Sequence, residues 1–358
     1  MSDRYPENDS QWKRWGVPLL VAIVALCAGA MLMAPMARMD PRDIPVAVVN
    51  LDQGTVSPLG PINAGHDVVD SLLAQAEGGG AMRITVLEDE RAAMEGLDDN
   101  DFYALVMVPV DFSTSALASR AGQGEMSPIH VTINQGKNPM VASMLQPAFA
   151  GMSDAGSETE ITLEISYHNP VPAELGMVAN FAPTMFVLFV YISSYSTAIV
   201  TNNMLPLRNG GRRETILSQL GAILIAAVGI GVVGSAVLGW LIDIELSFVD
   251  VAVYLALGSV AFMSLVIGAL NWFGTRGMII PVLILLLGMG TANLPYEFLP
   301  NFWQNWIYPW MPLRFLAEGA RALLFQGAGM WSPSMTAIAI IAAIGLSLQG
   351  SAINGPRK

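Results

Sequence analysis

The chain has 358 residues, of which 53% are hydrophobic and 13% charged, and its formal net charge is −12. That apolar excess excludes a disordered or purely solvated protein, and the acid surplus excludes a nucleic-acid binder, because phosphate contacts need basic residues. One cysteine, Cys27, leaves no disulfide framework.

The pattern in chain order predicts an α-helical membrane protein with six transmembrane helices. An extracytoplasmic α/β (α+β) domain is inserted between helices 1 and 2. Residues 1–14 form a cytoplasmic N-terminus ending in Lys13 and Arg14, and 15–36 is the first span. At about 20 apolar residues it suits the ~30 Å of hydrocarbon, and exceeds a cleavable signal core of ~7–15 residues. It is therefore read as a retained anchor, the alternative being a signal peptide cleaved near the small residues of Ala34-Pro35-Met36-Ala37.

The outer domain covers 37–177. Between Arg38 and Met177 there are 20 acidic and 6 basic residues, so the negative charge of the whole chain resides there. Ile44–Asn50 reads as a buried strand ended by Asp52-Gln53-Gly54, and 63–76 as a helix with Val68, Val69, Leu72 and Leu73 at helical spacing. Strands then follow at 82–87, 102–108, 129–133 and 161–167, with helices at 89–97, 111–121 and 138–150. This β/α alternation argues for an α/β or α+β domain and not a sandwich.

Later spans are expected at 178–201, 216–242, 250–272, 278–293 and 333–352, with a cytoplasmic loop at 202–215 and a cytoplasmic tail at 353–358. Lys13, Arg14, Arg208, Arg212, Arg213, Arg276, Arg357 and Lys358 then all fall on one face. The positive-inside rule makes that face cytoplasmic and places the protein in the plasma (inner) membrane, with both termini inside.

In the third span Ala227, Gly231, Ser235 and Gly239 recur every four residues. They form either a helix-packing stripe or a smooth lipid-facing one. Segment 294–332 carries Trp303, Trp306, Tyr308 and Trp310 among Pro295, Pro300, Pro309 and Pro312. Aromatic rings at that density belong at headgroup level, and the prolines forbid one continuous helix, so a re-entrant or interfacial element is expected. Arg314, Glu318 and Arg321 share one helical face there. They read either as a solvated salt-bridge stripe or as the outer mouth of a translocation path.

Catalytic motifs are absent from the sequence. There is no P-loop, so ATP energy would have to come from another chain. Gly229-Ile230-Gly231-Val232-Val233-Gly234 spells a dinucleotide fingerprint, but it lies inside an apolar helix with no strand before it. His66, His130 and His168 fall in separate elements without metal-ligand spacing. No cofactor and no metal are expected.

Val46-Ala47-Val48-Val49-Asn50-Leu51-Asp52-Gln53-Gly54 resembles the first outer strand of the YhgE/Pip group of ABC-2 type export permeases. Tyr103 to Ser113 (YALVMVPVDFS) and Ile129 to Asn138 (IHVTINQGKN) are similar to later strands of that group. Leu299-Pro300, Pro309-Trp310-Met311-Pro312 and Gly319 to Phe325 resemble its segment before the last span. Arg212-Arg213-Glu214-Thr215-Ile216-Leu217 echoes the inner coupling loop of ABC-2 permeases, without the glycine expected before the threonine. The outer region is compact, like that of the short members of the group.

The resemblance implies a permease subunit of an exporter for a hydrophobic or amphipathic substrate. It also implies a separate ABC ATPase subunit as partner and a homodimer or paired permease in the lipid bilayer. Arg208, Arg212, Arg213 and Glu214 would then meet the ATPase, although topology signalling alone also accounts for those arginines. The alternative is a non-transporting membrane protein whose outer domain binds an envelope component or partner.

Overall fold

A computed structural model describes residues 16–37, 39–57, 60–154, 162–207, 211–241, 246–328 and 332–354. After a first helix, α1 (Val17–Ala37), the chain builds a mixed α/β domain. Its strands are β1 (Ile44–Asn50), β2 (Thr55–Ser57), β3 (Gly60–Ile62), β4 (Met82–Leu87), β5 (Ala104–Val108), β6 (Ile129–Asn134) and β7 (Leu163–His168). Between them lie α2 (Ala64–Glu77), α3 (Glu90–Asp98), α4 (Phe112–Arg120) and α5 (Pro139–Asp154).

Five strands form one sheet in the order β4-β1-β5-β6-β7, and β2 pairs with β3 in a separate antiparallel ribbon. Every pair in the large sheet is parallel except β5 with β6. Strand β1 is an unbroken apolar run because both its faces are covered. Val46 and Val48 enter a core with Val69, Leu72, Val106, Phe112 and Phe149. Ala47 and Val49 face the other way, toward Ala93, Leu97 and Leu105. Asn63 and Asp89 cap α2 and α3 with their side-chain oxygens, satisfying N–H groups that a helix start leaves without partners. The small ribbon at 55–62 was not foreseen, because its two three-residue strands are too short for any periodicity to register.

The remainder is helical: α6 (Ala182–Met204), α7 (Arg212–Leu241), α8 (Phe248–Phe273), α9 (Ile279–Asn293), α10 (Pro312–Phe325) and α11 (Pro333–Ser351). Among the described residues, five stretches are long and apolar enough to cross a membrane: Pro18–Ala37, Ala182–Met204, Arg212–Leu241, Phe248–Asn293 and Pro333–Asn354. The fourth holds both α8 and α9, divided by a 3-10 turn at Gly274–Met278 in which Gly274 takes φ 60°. Helix α7 begins at Arg212, four residues before the span expected from 216, and Glu214 sits in its first turn, where the helix dipole favours an acid.

Helix α8 is the centre of the bundle, with Tyr254, Leu255, Met263 and Ile267 fully buried. It packs on α6, α7 and α11. Close approach to α11 depends on glycines: a Cβ at Gly345 would overlap Ser264, and one at Gly268 would lie 3.1 Å from Leu348. By contrast α1 exposes Leu19, Leu20, Val21 and Leu26. It meets α9 where Pro35 lies against Gly290.

The two ends of the bundle differ. At one end the Thr184 hydroxyl donates to Asn293, and Ser235 Oγ to the Phe248 carbonyl at 3.2 Å. The α/β domain sits at this end, because Leu294, Phe298 and Leu299, directly after α9, are part of its core. The last turns of α6, α8 and α11 and the first turns of α7 meet at the opposite end.

Candidate functional site

Three polar constellations and one cavity stand out. The first is a knot around Asp52, a residue with only 9% of its surface exposed. Its Oδ1 accepts from the Ser113 amide at 3.0 Å and the Gly54 amide at 3.3 Å. Its Oδ2 accepts from the Gly65 amide at 3.0 Å and from the Ser113 hydroxyl. That hydroxyl in turn accepts from the Ala64 amide at 2.8 Å. The carboxylate thus closes the N-termini of α2 and α4 together, where both helix dipoles favour an anion. Burial pushes the Asp52 carboxyl up, but the donors of Ser113, Gly65 and Gly54 outweigh it and leave it below the usual range. A side chain at position 65 would collide with Asn50 and Asp52.

The second lies where the α/β domain meets the helices. The Tyr103 hydroxyl donates to Glu297 Oε2 at 3.0 Å, and the Arg42 amide to the Glu297 carbonyl at 3.2 Å. Lys137 Nζ sits 4.0 Å above the Tyr103 ring and donates to the Asp101 carbonyl at 3.0 Å. Gln326, at the end of α10, donates to the Gly136 carbonyl at 3.0 Å and exchanges amide hydrogen bonds with Asn100. Position 136 must be glycine for this approach, since a Cβ there would lie 2.6 Å from Asn169 and 3.1 Å from the Phe325 carbonyl. Burial raises the Tyr103 phenol well above its ordinary value, and the Glu297 charge adds to this. Burial lowers the half-buried Lys137 amine to about 8, against the opposing pull of Glu297 and Asp101.

Helix α10 continues this junction. Arg314 Nε pairs with Glu318 Oε1 at 2.7 Å, with side chains only 22% and 28% exposed. The Tyr308 hydroxyl donates to the same Oε1 at 2.9 Å, and the Arg314 guanidinium stacks 4.0 Å from the Tyr308 ring. Arg321 is not part of this pair; it donates to the Ala292 carbonyl at 2.7 Å, at the end of α9. The face is therefore knitted into its neighbours and is not a freely solvated stripe. The prolines break 294–311 into short turns, and α10 itself buries Leu313, Leu316, Ala317 and Ala320 among the helices.

The third constellation lies at the far end of the bundle. Gln219 and Asn271 exchange hydrogen bonds of 2.9 and 3.3 Å, and Gln349 Nε2 donates to Gln219 Oε1 at 3.1 Å. Gln219 Nε2 also donates to the Leu205 carbonyl at 2.9 Å, where α6 ends. Three buried carboxamides thereby tie α6, α7, α8 and α11 at one level. Sequence reasoning missed this cluster, since single amides far apart in apolar runs carry no spacing signal.

The expected coupling residues lie beside it. Arg212, Arg213 and Glu214 open α7, with Arg213 and Glu214 exposed; Arg208 lies outside the described residues. In the small-residue stripe, Ala227, Gly231 and Ser235 are buried and Gly239 is exposed. A Cβ at Gly231 would lie 2.5 Å from the Ala252 carbonyl, whereas one at Gly239 would meet no described residue within 4 Å. The stripe thus faces α8 over its first three positions only. Gly234, off the expected stripe, also faces α8, against Leu255. The histidines do not converge: His66 lies 3.7 Å from Asp70, His130 3.0 Å from Glu164 and His168 3.1 Å from Asp98.

The α/β domain also holds a cavity of about 590 Å³ between α2, α4, α5 and the sheet. Its floor is Leu72, Val106, Phe112, Ile129, Val131 and Phe149, all buried, and its rim carries the exposed Asp67, Ser71, Gln75 and Arg120.

No family model, curated protein or solved structure matches this chain. The fold defines a helical protein with several membrane-length apolar helices and a small α/β region.

Proposed function

We propose that this protein is the membrane-spanning permease subunit of an ABC-2 type exporter, moving a hydrophobic or amphipathic substrate out of the cell with a separate ATPase subunit. It crosses the plasma membrane six times, α8 and α9 making separate passes, with the α/β domain outside and the turn between α6 and α7 inside. The resemblance of 46–54, 103–113 and 129–138 to the YhgE/Pip group supports the class.

The observation that carries the reading is the carboxamide cluster of Gln219, Asn271 and Gln349, which fastens three long helices to the end of α6 beside Arg212, Arg213 and Glu214. A push delivered at that turn by a partner reaches four helices at once. In an apolar surround, breaking such amide contacts leaves unpaired polar groups, so the helices move as a unit and do not slip singly. At the opposite end, Leu294, Phe298 and Leu299 carry the motion from α9 into the core of the outer domain.

Deleting the gene should cause cells to retain a hydrophobic or amphipathic compound that the parent strain releases. Restoring the wild-type protein should restore release, and Arg213→Ala or Glu214→Ala should not. Release at the wild-type rate from both variants would contradict the reading.

A further inference from the structure

We infer that the cavity of the α/β domain is a binding site for a single-chain amphiphile, with the acyl chain on its floor and the polar end at its rim. This site goes beyond the transport reading and does not depend on it. The volume of about 590 Å³ lies within the ~300–1,000 Å³ typical of small-molecule sites.

The floor side chains, three from strands (Val106, Ile129, Val131) and three from helices (Leu72, Phe112, Phe149), contain no hydrogen-bonding atom. A ligand with polar groups at that depth would leave them unpaired, which costs on the order of 1–3 kcal/mol each. Hydrocarbon meets no such cost. The polar lining is confined to exposed positions: Asp67, Ser71 and Gln75 fall at i, i+4 and i+8, one ridge of α2, with Arg120 at the end of α4. An occupant with one apolar body and one polar end matches that division, and a peptide or sugar does not.

All six floor side chains belong to the core of the domain and border the open space from below. Leu72 and Phe149 pack against their neighbours and also border the open space. Ala116 and Ala148 mark the places where substitution can close it. Ala116 is nearly buried on α4, so a larger side chain there reaches the floor. Ala148 is exposed on α5, so one there blocks the entrance without entering the core.

The test uses the full-length protein in lipid nanodiscs and a photoreactive palmitic acid, with cross-linked peptides mapped by mass spectrometry. Wild type should be labelled on peptides containing Leu72, Phe112 or Phe149, and Ala116→Phe and Ala148→Trp should each reduce that labelling about tenfold. Ala148→Trp keeps the test valid if Ala116→Phe disturbs folding. Competition by unlabelled palmitic acid alone would assign a free fatty acid. Competition by a lysophospholipid as well would assign the acyl chain of a membrane lipid. Labelling confined to the long apolar helices, or unchanged in both variants, would overturn the inference.

Discussion

The Tyr103 hydroxyl donates to the Glu297 carboxylate at 3.0 Å, joining the start of a central sheet strand to the turn that follows α9. This bond, with the Arg42 amide on the Glu297 carbonyl, fixes the α/β domain on the helical bundle. Tyr103→Phe should remove the only donor that the Tyr103 ring offers and leave a partly buried carboxylate short of a partner. The expected cost is about 1–3 kcal/mol. It should be read as faster limited proteolysis between 37 and 44 and a lower unfolding temperature. Glu297→Gln keeps an acceptor and should cost less than Tyr103→Phe.

Asp52 closes two helix starts at once. Asp52→Asn should destabilise the α/β domain by about 1–3 kcal/mol, and Asp52→Ala by more, because four donors then lose their acceptor. Because its folded pKa is depressed, the stability it contributes is present above the unfolded value of 3.8 and is lost as pH falls through the lower folded value. Acid unfolding followed by circular dichroism should therefore begin at higher pH once Asp52 is replaced by Asn.

Lys137 gives a pH dependence of the same sign in an alkaline window. Its amine titrates near 8 in the folded protein and near 10.5 when unfolded, so between these values the unfolded chain binds more protons and stability rises with pH. Unfolding temperatures should climb from about pH 8 toward pH 10 in wild type, and this climb should be weaker in Lys137→Gln. Tyr103, with its raised phenol pKa, does not oppose the trend until the unfolded tyrosine begins to ionise near 10.

The small-residue stripe is testable position by position. Gly231→Val should disrupt the contact of α7 with α8, since even a Cβ would lie 2.5 Å from the Ala252 carbonyl. Overpacking of this kind costs roughly 1–3 kcal/mol, read as a lower unfolding temperature in detergent. Gly239→Val should be silent, because no described residue lies within 4 Å of a Cβ at that position.

The α/β elements were legible because each rests on local chemistry. The β-branched run of β1 and the helical stretches read at 63–76 and 89–97 lie within a residue or two of the elements observed. The long apolar helices were legible for the same reason. What escaped was tertiary: the antiparallel turn of β6, the entry of Leu294 and Phe298 into the domain core, and the carboxamide cluster. The Arg314–Glu318 spacing revealed the pair, but not that Tyr308 and Ser334 would enclose it. Asp52 and Ser113 each stood in a quoted motif, yet their bond spans 61 residues and nothing local announces it.

The most direct test of the central claim is to purify the full-length protein from its native membrane in detergent and assay what accompanies it for ATP hydrolysis. Wild type should bring an ATPase subunit with it, and replacing Arg208–Glu214 by a Gly/Ser linker should abolish that activity while the α/β domain remains folded. Purification from native membranes with no ATPase bound, or with the same ATPase activity after the loop is replaced, would contradict a permease driven through this turn.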